Sequence, residues 1–361
     1  MPAKTTSRSA LSPMLGIWTI TLLAAAILAV MCARAAMADP QTQSPDYRAF
    51  TRSTFLPYIN EPDRQMRRVP ALRLSFGGRG YRATMDSGST GVVVAAALIP
   101  NFDDLPKLAS GRLTYTSSGR VMLGDWVETP MTIQGADGTS VETEPMPVLA
   151  VTEVRCLEQA RNCTPRQNPR NIAMIGIGFA REGDRQSQST PDKNPFLRLD
   201  RTGGKERRGF VLTSTGVHIG LTDGIAGNGF RFIKLDKQAE RPDWSAIPAC
   251  ISLDRQMPAS CGTMLLDTGV SAMFMTVSPE QAGDNVDELP DGTEVTVLLG
   301  ENGEQGELYS FRVGEESKVA PDTIHLRVSP KRTFVNTSYR LLNAFDFLYD
   351  ADGGYAGFRP R

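Results

Sequence analysis

The chain states one short pattern twice. Arg82-Ala83-Thr84-Met85-Asp86-Ser87-Gly88-Ser89-Thr90-Gly91-Val92-Val93-Val94 and Met264-Leu265-Leu266-Asp267-Thr268-Gly269-Val270-Ser271-Ala272-Met273-Phe274-Met275 share it. Each runs from apolar residues into Asp, a hydroxyl residue, Gly, a variable residue and a second hydroxyl, then back into an apolar run. Each reads as strand, tight loop, strand. One aspartate set between apolar strands is costly to bury in its charged form. A second, delivered by a twin loop, changes that, because two carboxylates in contact can share one proton among hydrogen-bonding loop groups. Asp86 and Asp267 stand 181 residues apart (267 − 86), so the fold must bring two similar halves together at these loops.

The 361 residues suffice for two lobes, each with its own core. With 39 basic against 40 acidic residues and no basic block or aromatic-basic interleaving, nucleic acid is excluded as a partner. The two histidines, His218 and His325, lie in strand-like alternations with no zinc-ligand spacing around them. A nucleophile activated by histidine would have to use one of them, and neither sits in a loop. Both read as strand residues.

Lys4 and Arg8 precede an apolar run from Leu15 to Met31, and Ala36-Met37-Ala38 offers a small-residue cleavage site. Residues 1–38 therefore read as an export signal, with an uncleaved membrane anchor as the other reading of a run this long. Cys32 follows Met31, where lipidation needs a small residue, so it reads as a passive cysteine. Removing the signal leaves Cys156, Cys163, Cys250 and Cys261, an even count that suggests disulfides in a periplasmic or secreted protein. The nearest pairing is Cys156 with Cys163 and Cys250 with Cys261; the other two pairings stay open. No C-x-x-C occurs, so a redox enzyme is not indicated.

Residues 39–66 are polar and carry Arg48, Arg52 and Arg64, with Arg67 and Arg68 just beyond. They read as an exposed, flexible arm, or as a short inhibitory segment laying arginines over acidic groups. Residues 67–193 form the first half, ordered from about Val69. It holds the first loop, a hairpin from Arg112 to Val127 with its tip at Ser117-Ser118-Gly119, and a glycine-punctuated apolar strand, Ile172 to Phe179. Residues 181–193 read as a loop or linker surface. Residues 194–361 form the second half. It opens with a short helix from Asn194-Pro195 to Leu199, carries the second loop, and ends in a helix near Arg340 to Phe345 and a hairpin turning at Asp352-Gly353-Gly354. No stretch sustains helical periodicity. The chain is mostly β, in two halves.

At this level the chain resembles the pepsin-like (A1-type) aspartic peptidases, over residues 69–361. The two Asp-[Ser/Thr]-Gly loops match the family's signature, Leu113-Thr114-Tyr115 before the Ser-Ser-Gly tip looks like its flap, and Ile175-Gly176-Ile177-Gly178 matches the strand threading beneath the first loop. The resemblance implies a bilobal acid-protease fold, two six-stranded-type β-barrel lobes with a cleft between, in a monomer using neither metal nor organic cofactor. It implies that Asp86 and Asp267 are catalytic, that Ser87 and Thr268 knit the loops together, and that Ser89 bonds the outer oxygen of Asp86. Gly88 and Gly269 would leave room for the substrate backbone. Tyr115 would close over an extended polypeptide substrate held by main-chain hydrogen bonds. Val270 stands where the family usually places a supporting hydroxyl, which predicts a less acidic pH optimum than that of gastric pepsin. Asn336 replaces the glycine of the second threading strand. The rival readings are the same scaffold binding peptides without cutting them, and an all-β surface module whose Asp-Gly loops are turns.

Overall fold

Strands of apolar and β-branched residues dominate the chain, and they assemble into three sheets. The computed structural model describes residues 1, 44–60, 65–115, 118–160, 163–181, 190–200, 205–285 and 287–361. The elements below belong to the compact unit Pro45–Arg361. The expected export signal and Cys32 lie outside the described residues.

The first sheet has ten strands, drawn from residues 71–177. At its centre Ala173–Ile177 runs parallel to Tyr81–Asp86 and antiparallel to Thr90–Ala95, with Gly176 level with both Asp86 and Gly91. Thr90–Ala95 is buried at every position. Val92 and Val94 enter the main core while Val93 enters a smaller cluster with Leu113 and Trp126, so an unbroken apolar run is what a strand covered on both faces requires. The second sheet has seven strands from residues 247–336 and repeats the arrangement. There Phe334–Asn336 runs parallel to Ser260–Leu265 and antiparallel to Met273–Val277. The threading strands thus hold both loop-bearing strand pairs in register.

The third sheet has six strands in the order Thr54–Pro57, Gly216–Ile219, Gly209–Leu212, Phe345–Asp350, Tyr355–Pro360 and Arg231–Lys234. Two expectations are corrected here. The strands do not sort into two six-stranded barrels, and residues 39–66 are not an exposed arm throughout. Thr54–Pro57 pairs with Gly216–Ile219, and Tyr47, Leu56, Tyr58 and Met66 are buried. The tyrosine hydroxyl of Tyr47 donates to the wholly buried Asp350, which also receives the Arg207 guanidinium at 2.9 and 3.0 Å. The arginine-rich composition hides this, because the residues that anchor the segment are four apolar or aromatic side chains without a regular period. Both expected helices shrink to 3₁₀ turns, Pro195–Leu197 and Tyr339–Asn343. Each starts on a capping side chain, Asn194 for Phe196 N–H and Ser338 for Arg340 N–H.

One core joins all three sheets, with Met85 and Ile177 from the first, Met264 and Val335 from the second, and Leu212 and Phe347 from the third. Both disulfides adopt the nearest pairing, Cys156–Cys163 and Cys250–Cys261. The latter joins residues directly opposite each other on Ile247–Leu253 and Ser260–Leu265. Two disulfides point to an oxidising environment such as the periplasm or the cell exterior. Among the described residues no helix is long and apolar enough to cross a membrane.

Candidate active site

The twin loops meet. Ser87 N–H donates to Thr268 Oγ1 at 2.9 Å and Thr268 N–H donates to Ser87 Oγ at 3.0 Å. Each hydroxyl then donates onward across the junction, Ser87 Oγ to the Leu266 carbonyl at 2.7 Å and Thr268 Oγ1 to the Met85 carbonyl at 2.8 Å. Four buried hydrogen bonds related by a local two-fold fix the loops against each other, which is the knitting expected of Ser87 and Thr268. Every donor and acceptor in the clasp is satisfied, as burial demands.

The clasp sets the carboxylates. Gly88 N–H donates to Asp86 Oδ1 at 2.7 Å, and Gly269 N–H donates to Asp267 Oδ1 at 2.8 Å. A Cβ built on Gly269 would stand 2.6 Å from Asp86 Oδ1 and 3.1 Å from Asp267 Oδ1, and one on Gly88 would collide with the Asp267 carboxylate. The two Oδ1 atoms therefore bracket one point. The reason these positions are glycine is the opposing carboxylate, a nearer constraint than the substrate backbone that the sequence suggested.

The outer oxygens differ. Ser89 Oγ donates to Asp86 Oδ2 at 2.5 Å, as expected. At the second loop Val270 offers no such group, and Asn336 Nδ2 donates to Asp267 Oδ2 at 2.6 Å instead. The Asn336 amide is oriented by its other end, where Oδ1 accepts from Ser338 N–H at 3.1 Å. The expectation that Asp267 lacks an outer donor is corrected by this bond. So is the alignment of Asn336 with the threading glycine. Asn336 lies level with Leu265, whereas Gly176 lies level with Asp86. Two residues further on stands Ser338, which takes up φ 61.

Both carboxylates are buried, Asp86 with 5% and Asp267 with 8% of its surface exposed. Burial, and then the charge of Asp86, push the Asp267 carboxyl up to about 7, against the opposing pull of Asn336, Arg181 and the Gly269 N–H. One proton is thus held in the pair near neutrality. Tyr115, at the end of the strand Lys107–Tyr115, brings its hydroxyl into the same region. The hydroxyl is buried near Ser89, and burial followed by the charge of Asp86 pushes its pKa up, against the opposing pull of the Ser89 hydroxyl. His218 is half-buried against Phe55 at 4.5 Å and His325 is exposed against Phe274 at 4.8 Å, each on its strand.

Two residues here escape sequence reasoning. Asn336 follows an apolar pair and carries only the weak signal of a polar side chain ending a buried strand. Arg181 is 7% exposed and its Nε donates to the Gly88 carbonyl at 2.6 Å, although its segment, 181–193, reads as surface loop. Of that segment residues 182–189 lie outside the described residues. Two carboxylates holding one proton, with four oriented donors around them, can act together as general base and general acid toward a bound water and a polarised carbonyl. Compared with known proteins, the chain matches no family model and no curated protein.

Proposed function

We propose that the protein is an exported aspartic endopeptidase of pepsin-like, bilobal architecture. Asp86 takes a proton from a water bound between the carboxylates, the resulting hydroxide attacks the peptide carbonyl, and Asp267 gives its proton to the developing oxyanion. The departing amine takes the proton that Asp86 gained while a hydroxyl of the tetrahedral diol returns one to Asp267 as the carbon–nitrogen bond breaks, which leaves the acid product and restores the singly protonated pair. Ser89 and Asn336 hold the outer oxygens so that Oδ1 of each aspartate faces the reacting water. Tyr115 closes one side over an extended polypeptide. The observation that supports this reading most strongly is the reciprocal Ser87–Thr268 clasp, because it delivers two buried carboxylates from distant loops to one point.

The test is hydrolysis of denatured casein by the purified protein between pH 3 and 8. Cleavage that pepstatin blocks, and that Asp86→Asn and Asp267→Asn each reduce by about a thousandfold or more, is the expected result. Cleavage that survives either substitution overturns the mechanism. Absence of cleavage at every pH, with a peptide still retained by the folded protein, selects the scaffold that binds without cutting.

A further inference from the structure

Arg181 is a charged side chain buried behind the first loop, and the sequence gives no reason for it to be there. Its Nε grips the Gly88 carbonyl at 2.6 Å. Gly88 is the residue whose N–H holds Asp86 Oδ1 and on which an added Cβ would collide with the Asp267 carboxylate. The guanidinium therefore holds the residue that contacts both acids. Its stem crosses Gly178, where a Cβ would meet Arg181 Cγ at 3.1 Å and the Ser87 carbonyl at 2.5 Å. Arg181 can reach the loop only over a bare backbone.

The approach is anchored from the other side as well. Ala180 holds φ 56, and its N–H donates at 2.9 Å to Asp243, a carboxylate that also accepts from Trp244 N–H at 2.8 Å. Arg181 also lines an apolar cavity with Ile177, Phe179, Phe210, Met264, Leu266 and Phe347, which reaches Ser87. With 7% of its surface exposed, the Arg181 side chain is screened by solvent less than a surface cation is.

We propose that Arg181 is a positioning residue of the acidic pair, orienting the Gly88 peptide and setting the pH range over which Asp86 and Asp267 exchange their proton. The proposal rests on the pair described above and deepens its reading as an acid–base machine. Its sign follows from charge. A cation favours the ionised carboxylate, and Arg181 does pull the Asp267 carboxyl down against burial. Among the described residues, the groups acting on the pair include Asp86 and Asp267 themselves, Arg181 behind the loop, Tyr115 from the hairpin, and the neutral donors Ser89, Asn336 and the Gly88 and Gly269 N–H groups. Asp243 faces the Ala180 N–H, and burial pushes its own carboxyl up.

The experiment is a carbon NMR titration of the full chain labelled at its aspartate carboxyl carbons, with the Asp267 signal identified by its loss in Asp267→Asn. Arg181→Gln is expected to raise the Asp267 midpoint by about half a pH unit or more. Arg181→Lys, which keeps the charge, is expected to leave it within about 0.3 unit. A folded Arg181→Gln protein that titrates as the wild type does overturns the proposal. Should the Gln variant not fold, the Lys variant decides, since a rise there of half a unit or more rules out charge as the cause. With casein as substrate, the Gln variant's kcat/KM profile moves to higher pH by the same amount; a lower rate on an unmoved profile marks a merely structural role and also overturns it. If the wild type cleaves nothing, the peptidase reading fails while the titration still decides the role of Arg181.

Discussion

Asp86 takes its outer hydrogen bond from a residue three positions away, and Asp267 takes its own from one 69 positions away. The chemistry at the two oxygens is alike, but the donor has moved from the loop to the threading strand. This relocation carries a prediction. Asn336→Leu removes the donor and also strands the Ser338 N–H, so the fold should lose about 1–3 kcal/mol by denaturant unfolding. The same change should move the activity optimum to higher pH, because the ionised form of Asp267 loses a supporting bond. Adding Val270→Thr returns a hydroxyl to the position beside the loop and should bring the optimum back toward the wild-type value. An optimum that stays put in Asn336→Leu would show that the amide does not tune the pair. The loops were legible in the sequence because their work is done by three consecutive residues. Asn336 and Arg181 were not, because each acts across a long stretch of chain, 69 and 93 residues, and nothing local marks either side chain as inward-facing.

The strands were legible for a similar reason, since apolar alternation and glycine punctuation are local signals, and both terminal hairpin and threading strands stand where they were expected. The strand Thr54–Pro57 was missed because an edge strand in polar surroundings has no clean alternation to show, and its partner lies far along the chain. Among the elements, the strand Ser260–Leu265 bears the most, since it leads directly into Asp267 and pairs on both sides. Cys250–Cys261 pins its outer end across a separation of 11 residues. Replacing both cysteines with alanine should lower the unfolding free energy by about 3 kcal/mol, the cost of freeing a loop of that length. Calorimetry of the double-alanine variant beside the wild type, both without reductant, measures it with Cys156–Cys163 kept intact. An unchanged unfolding temperature would show that the ladder bonds alone hold the strand.

For the molecule as a whole, the buried pair makes stability depend on pH with a definite sign. The Asp267 carboxyl sits at about 7 in the fold against an ordinary 3.8, so between these values the folded protein binds a proton that the unfolded chain has released. Stability contributed by that proton is present below about pH 4 and is lost as pH rises to about 7. Asp243, also pushed up by burial, acts in the same direction. His218 opposes them, because burial holds its imidazole below 6.5 and stability gains as pH rises toward that value. The difference between wild type and Asp267→Asn isolates the pair. The unfolding temperature of the wild type should fall more steeply than that of Asp267→Asn from pH 4 to 7, and parallel curves would show that Asp267 does not hold the extra proton.

The six-stranded sheet lays residues 54–57 beside 216–219 and carries the pairing on, strand by strand, to 355–360. A chain arranged this way cannot finish folding from its beginning, because its opening strand waits for partners synthesised much later. Assembly of that sheet is thus deferred until synthesis has passed its last strand. Asp86 and Asp267 both precede the last strands of that sheet, so a nascent form ending before residue 355 carries both acids without the complete sheet.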